Sequence, residues 1–131
     1  MAKLTVEMKI MFEKQLAVIA TASKDATPNV GPKGSMHVVD DETLAYAEGT
    51  GEKTLRNLKE NLKVAVMVVD REKGDGYQVK GTAELLNSGD FFEQVARRQE
   101  ERKRPRPKYA VKIKIEEIYS VCPGMTAQKI A

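Results

Sequence analysis

The chain holds one cysteine, one histidine and no tryptophan in 131 residues, and each shortage removes a class of function. A single thiol, Cys122, cannot close an internal disulfide, so a reducing compartment, the cytoplasm, is expected. One imidazole, His37, cannot build a metal site from several histidines, and one Cys with one His falls short of the usual zinc ligand sets. Base stacking needs aromatic faces, and the chain has only four tyrosines and three phenylalanines to offer. The longest apolar run, "VAVMVV" at 64–69, is far short of the ~20 residues that cross a bilayer as a helix. The N-terminal "MAKLTVEMKIMFEK" mixes acidic with apolar residues and has no h-region, so it does not read as a signal peptide. A net charge of +3 is too small to imply nucleic acid by itself. Acidic residues are scattered, and no carboxylate pair stands out for glycosidase-type chemistry.

What is present is the pattern of one domain with an ordinary soluble balance, 41% hydrophobic and 31% charged. Met8, Met11, Phe12 and Gln15 fall on one helical face extended by Leu4, which predicts a helix over 5–15. "AVIATAS" (17–23) reads as a strand, "KDATP" as a turn, and "NVGPKGSMHVV" (29–39) as a second strand interrupted by Gly31, Pro32 and Gly34. Because Pro32 cannot donate to a ladder, that strand is expected at an edge or locally off the ladder. "TLAYAE" (43–48) is a third strand. A helix over roughly 51–61 follows, with Thr50 as candidate N-cap and Leu55, Leu58 and Leu62 as its buried stripe. "KVAVMVVD" (63–70) is a central strand, and "YQVKGTAELLN" (77–87) another, where Gly81 suggests a bulge or a close backbone approach. A helix over 88–104, capped by Ser88 or Asp90 and packed through Phe91, Phe92 and Val95, ends at Pro105 and Pro107. In the last strand Tyr109, Val111, Ile113 and Ile115 alternate with polar or small residues. Tight turns between successive strands require antiparallel pairing. The expected fold is therefore mainly β: an antiparallel sheet of about six strands curled into a barrel, with helices outside.

Chemistry-bearing constellations are few. "EGTGEKT" (48–54) evokes a phosphate-binding loop, but G-x-x-x-x-G-K-[ST] would need glycines where Ala47 and Glu52 stand, so the P-loop reading fails on spacing. What survives is a helix N-terminus with Lys53 and Thr54 in its first turn, suited to a single anion. "VGPKGSM" (30–36) exposes backbone that could face a planar polar ligand, or is only a kinked strand. A Cys122–His37 nucleophile pair is conceivable, but nothing local makes Cys122 electropositive, and a structural cysteine with a partly buried histidine is the simpler reading. The basic run "RRQEERKRPRPK" (97–108) is broken by Glu100 and Glu101. Cations at a helix C-terminus are favourable for dipole reasons alone, so a solvated face competes there with a nucleic-acid arm.

Four stretches in order, "VIATASKDATPNVGP", "LAYAEGTGEKTLRNLKENLKVAVMV", "GYQVKGTAELL" and "DFFEQVARR", carry a resemblance over residues 15 to the C-terminus. The chain resembles the flavin-binding split-barrel family that includes pyridoxamine 5'-phosphate oxidase, most of all its small FMN-binding proteins. The resemblance implies FMN as cofactor, with Pro32, Lys33, Gly34 and Ser35 beside the isoalloxazine ring and ribityl chain. It implies that main-chain groups of Tyr46, Ala47 and Glu48 line the rest of the ring, and that Lys53 and Thr54 hold the phosphate. Lys33 could reach either the phosphate or the pyrimidine end of the flavin. The flavin of this family lies between two subunits, so a homodimer is implied.

Three departures accompany the likeness. Glu52 stands where the oxidases commonly carry a basic residue, and Gly76 where they place a flavin-contacting glutamine. The C-terminal "CPGMTAQKI" lacks the arginine–histidine pair of their substrate-phosphate site. The resemblance thus implies a protein that keeps the flavin and acts on another substrate, as an electron-transfer protein or flavin-dependent oxidoreductase with no acid or base singled out. A deazaflavin-dependent reductase of the same fold is the alternative, its more anionic cofactor served by the basic residues of 97–108. A cofactor-free nucleic-acid-binding module is the remaining rival.

Overall fold

In the computed structural model, residues 2–49, 52–122 and 127–131 are described. In chain order the elements are α1 (Val6–Lys14), β1 (Ala17–Ala22), β2 (Pro28–Lys33), β3 (His37–Asp40), β4 (Thr43–Glu48), α2 (Lys53–Glu60), β5 (Lys63–Asp70), β6 (Asp75–Leu86), α3 (Asp90–Glu101), β7 (Tyr109–Ser120) and β8 (Gln128–Lys129). All strand pairs are antiparallel, in the order β2-β1-β5-β6-β7-β4-β3, with β8 on β7. The mainly β architecture with flanking helices is as expected, with eight strands among the described residues rather than six.

The two additional strands have distinct origins. The stretch expected as one strand over 29–39 is two: β2 pairs with β1 at one edge of the sheet, and β3 pairs with β4 at the other. Gly34, Ser35 and Met36 turn the chain between them. Pro32 does sit on an edge strand, opposite Val18, where its missing N–H breaks no ladder. The second addition, the short β8, lies in the C-terminal stretch, which shows no strand pattern.

The sheet closes on itself across this turn. Ser35 Oγ accepts from the Ala47 N–H at 2.9 Å, and Lys33 Nζ lies 3.2 Å from Glu48 Oε1. The end of β2 is thereby joined to the end of β4, although the two strands occupy opposite sides of the sheet order. Inside, Ile19, Leu44, Val66, Val68, Val79, Val111, Ile113 and Ile118 form the core, and Met8 and Phe12 of α1 seal it. A smaller cluster under α3 gathers Phe92, Val95 and Ala96 against Ala45 and Ala110.

Gly81 combines both expected roles. Lys80 pairs with Glu117 and Gly81 with Ile115, leaving Glu116 as the extra residue of a bulge. A Cβ on Gly81 would stand 2.2 Å from the Lys114 carbonyl oxygen. The bulge also explains why the alternation of β7 changes phase: Ile113 and Ile115 are buried, and then Ile118. At the start of β7, Ala110 and Val111 are both buried, because α3 covers the outer face there.

Helix boundaries needed correction. α2 ends at Glu60, so Leu62 is 43% exposed, and Thr54 and Asn57 join Leu55 and Leu58 on the buried face. The N-cap of α2 is Glu52, with no side-chain capping bond; Thr50, the expected cap, lies outside the described residues. α3 spans Asp90–Glu101, and its N-cap is Gly89 at φ 96°, with no side-chain cap from Ser88 or Asp90. Asp90 instead contributes a negative charge to the first turn, which suits the helix dipole.

Candidate functional site

A groove of about 660 Å³ lies between α2 and the β1–β2 hairpin. One face of α2 supplies Lys53, Arg56, Asn57 and Glu60, at the i, i+3, i+4, i+7 spacing that puts residues on a single side. The hairpin supplies Ser23, Lys24, Asp25, Thr27, Pro28 and Asn29. Both carboxylates in the groove accept hydrogen bonds from the hairpin. Glu60 Oε2 accepts from the Lys24 N–H at 2.8 Å. Asp25 accepts from the Ser23 hydroxyl and from Thr27, and these bonds hold its carboxyl below the usual carboxylate range. The cations Lys53 and Arg56 have no ion-pair partner among the described residues.

Thr54 faces β2. Its hydroxyl accepts from Asn29 Nδ2 at 3.3 Å, and a Cβ on Gly31 would lie 3.8 Å from it. Among the described residues, the N-cap residue Glu52 makes no side-chain cap to the first turn of α2. Glu52 is itself exposed. The structure thus places Lys53 on the groove face of α2 and Thr54 against β2, both in the first turn of the helix, where an anion could be held.

The other expected site residues gather one strand-length away, around the β2–β3 turn. Lys33 and Glu48 form an ion pair whose side chains are 18% and 2% exposed, and the ammonium stands 5.2 Å over the Tyr46 ring. Lys33 thus has a carboxylate as its partner. The Tyr46 side chain is fully buried in the core, and its hydroxyl has no hydrogen-bond partner among the described residues. Burial, and then the Glu48 charge, push its phenol well above the usual range. Two of the main-chain groups expected to line a ring are engaged: the Ala47 N–H with Ser35 Oγ, and the Glu48 carbonyl with the Lys108 N–H at 2.8 Å. Gly34 and Pro32 beside them are exposed.

His37 and Cys122 do not meet. His37 pairs with Ala45, which pairs in turn with Lys112, whereas Cys122 follows the far end of β7, roughly 30 Å away at ~3.3 Å per residue. Cys122 Sγ donates to the Gly74 carbonyl at 2.8 Å. His37 is buried, with Nδ1 2.9 Å from the Ser35 carbonyl, and burial lowers its pKa from the ordinary imidazole value.

Asn29, Arg56 and Asn57 were not anticipated from sequence. Arg56 had a usable signal, since it lies one turn beyond Lys53 on the same helix face. Asn57 is buried because its Nδ2 donates to Thr21 Oγ1 at 3.0 Å, a contact across 36 residues that no local pattern announces. Gly76 has a structural reason: a Cβ there would stand 2.9 Å from the carbonyls of both Val121 and Val68, so a glutamine could enter only if backbone moved.

The sequence profile of pyridoxamine 5'-phosphate oxidase matches residues 5–122. The chain belongs to the pyridoxamine 5'-phosphate oxidase family. The chain is 40% identical over 132 residues to an uncharacterized protein of Methanocaldococcus jannaschii, covering 98% of this chain and 87% of that one. Its structure is similar to that of HupZ from Group A Streptococcus, at a TM-score of 0.88 and 36% identity over 94% of this chain and 98% of that one. It also shares its fold with an FMN-binding protein of Syntrophomonas wolfei, at a TM-score of 0.75 and 24% identity over 87% and 83% of the two chains. No helix among the described residues is long and apolar enough to cross a membrane.

Proposed function

We propose that this family member binds FMN and works as a homodimeric flavoprotein, in electron transfer or as an oxidoreductase on a substrate other than pyridoxamine phosphate. The observation that carries the reading is the junction of α2 with β2, where Lys53 lines an open groove and, in the same first helical turn, the Thr54 hydroxyl meets Asn29 of β2, which also lines that groove. A phosphate bearing nearly two negative charges favours a cation and a hydroxyl in the first turn of a helix. Bound with its ring toward Pro32–Ser35, the flavin would supply the redox step, and the chain would supply position and charge.

Titration of the cofactor-free protein with FMN tests the reading, and a preparation that stays colourless with excess FMN overturns it. Lys53→Ala is expected to weaken FMN binding by about 1.5–3 kcal/mol, the range for a hydrogen bond to a charged group. Equal affinities for the two proteins would move the phosphate elsewhere. Mass and absorption maximum of any extracted chromophore separate FMN from a deazaflavin.

The outer face of β2, β1 and β5 supports the homodimer. Val30, Ala20 and Ala65 form one cross-strand row and Pro32, Val18 and Met67 the next. They point away from the core side of Ile19 and Val66, and Val30 is 66% exposed. A contiguous apolar sheet face of this kind calls for a partner. Val30→Lys is expected to convert a dimer into a monomer in sedimentation equilibrium; an unchanged mass would place the interface on another surface.

A further inference from the structure

The turn from β2 to β3 is clamped at one peptide unit. Between Ser35 and Met36, the N–H donates to the Lys33 carbonyl at 3.0 Å, and the carbonyl oxygen lies 2.9 Å from His37 Nδ1. A carbonyl oxygen only accepts, so Nδ1 bears the proton and Nε2 the lone pair. The ring is buried, and burial lowers its pKa from the ordinary imidazole value, so this neutral tautomer prevails at neutral pH. Ser35 is fastened a second time through its hydroxyl, which accepts from the Ala47 N–H at 2.9 Å. The donors just before the clamp are free. Among the described residues, neither the Gly34 N–H nor the Ser35 N–H donates to an acceptor. Gly34 is exposed, and a Cβ on it would meet nothing within 4 Å.

Resting on the flavin reading above, we infer that His37 is a positioning residue for the cofactor. By holding the Ser35 carbonyl, it keeps the Gly34 and Ser35 N–H groups presented to the electron-rich edge of the bound ring, and so favours the reduced form. Successive free N–H groups in a turn make a concavity suited to negative charge. Donors fixed in advance stabilise such charge without having to reorganise as it develops. Hydrogen bonds to the ring are one of the means by which a protein tunes a flavin. The nearby ammonium of Lys33 is a weaker candidate for this role, because it is paired with Glu48. His37 itself acts through the backbone of the turn.

Two measurements test this. The chain has a single histidine, so imidazole nitrogen NMR of the tag-free, cofactor-free protein reads the tautomer without any variant. A protonated Nδ1 is expected, and a neutral ring protonated at Nε2 instead overturns the inference. Redox titration of bound FMN is then compared in the wild type, His37→Leu and His37→Asn. Asparagine places an N–H donor close to the position of Nδ1, and leucine offers none. In His37→Leu the affinity for reduced FMN, relative to oxidised, is expected to fall at least tenfold, which is about 30 mV in the midpoint potential of a two-electron couple. His37→Asn is expected to stay close to the wild type. An unchanged potential in His37→Leu, or an equal fall in His37→Asn, overturns the inference and leaves the cofactor reading standing. Failure of FMN to bind the wild type overturns the cofactor reading and the inference together.

Discussion

Gly81→Ala is expected to destabilise the protein by about 3 kcal/mol or more, enough to leave much of it unfolded. Overpacking in a core usually costs about 1–3 kcal/mol, because side chains can leave their rotamers to make room. Here the new methyl would stand 2.2 Å from the Lys114 carbonyl oxygen and 3.1 Å from its carbon. Those atoms belong to the backbone of the neighbouring strand. Relief therefore means parting β6 from β7, the two twelve-residue strands of the sheet. It would also disturb the bulge that sends Ile118 inward. Against a total stability of about 5–15 kcal/mol for a domain of ordinary stability, the loss is large. Denaturant midpoints measure it, with Gly34→Ala as the reference. Gly34 has no atom within 4 Å of a new Cβ, so that variant is expected to stay within about 0.5 kcal/mol of the wild type. Matching midpoints for the two variants would show that β6 and β7 separate at that point without penalty.

The contrast between Gly81 and Gly34 shows how much the sequence discloses. An isolated glycine within a strand pattern signals a bulge or a close approach, and Gly81 is both. The Gly31–Pro32–Gly34 cluster signals an interrupted strand, and the chain does break there. The pattern does not say that the two pieces lie at opposite edges of the sheet, because that depends on β1 and β4 pairing elsewhere. The same limit applies to the site. Lys53 and Thr54 are legible because a helix start can be located from its own residues. Asn29 enters through a strand-to-helix contact 25 residues apart, and local periodicity carries no trace of it. The Glu48 side chain was missed for a different reason. At the end of a strand pattern ahead of a glycine-rich loop, a carboxylate reads as solvated, and only barrel closure buries it against Lys33.

That burial makes Glu48 the second position where a large effect is expected. Glu48→Leu would leave the Lys33 ammonium facing the Tyr46 ring without its counter-charge. Breaking a buried ion pair by removing one partner costs about 3–5 kcal/mol. Lys33 retains an 18% exposed side chain, so some hydration is recovered, and a loss of about 3 kcal/mol is expected. The companion substitution separates charge from shape. In Lys33→Met combined with Glu48→Leu no unpaired charge is buried, and replacing such a pair with apolar groups is often neutral or stabilising. The double variant is therefore expected to regain most of what Glu48→Leu lost, giving a coupling of about 2 kcal/mol in a double-mutant cycle. If the double variant is as unstable as Glu48→Leu alone, the loss comes from the cavity shape at the end of β4 and not from the stranded ammonium. FMN titration of the folded double variant then addresses the cofactor directly. An affinity equal to the wild type would mean that Lys33 serves the barrel seam through Glu48, and that the flavin draws its positive charge from α2.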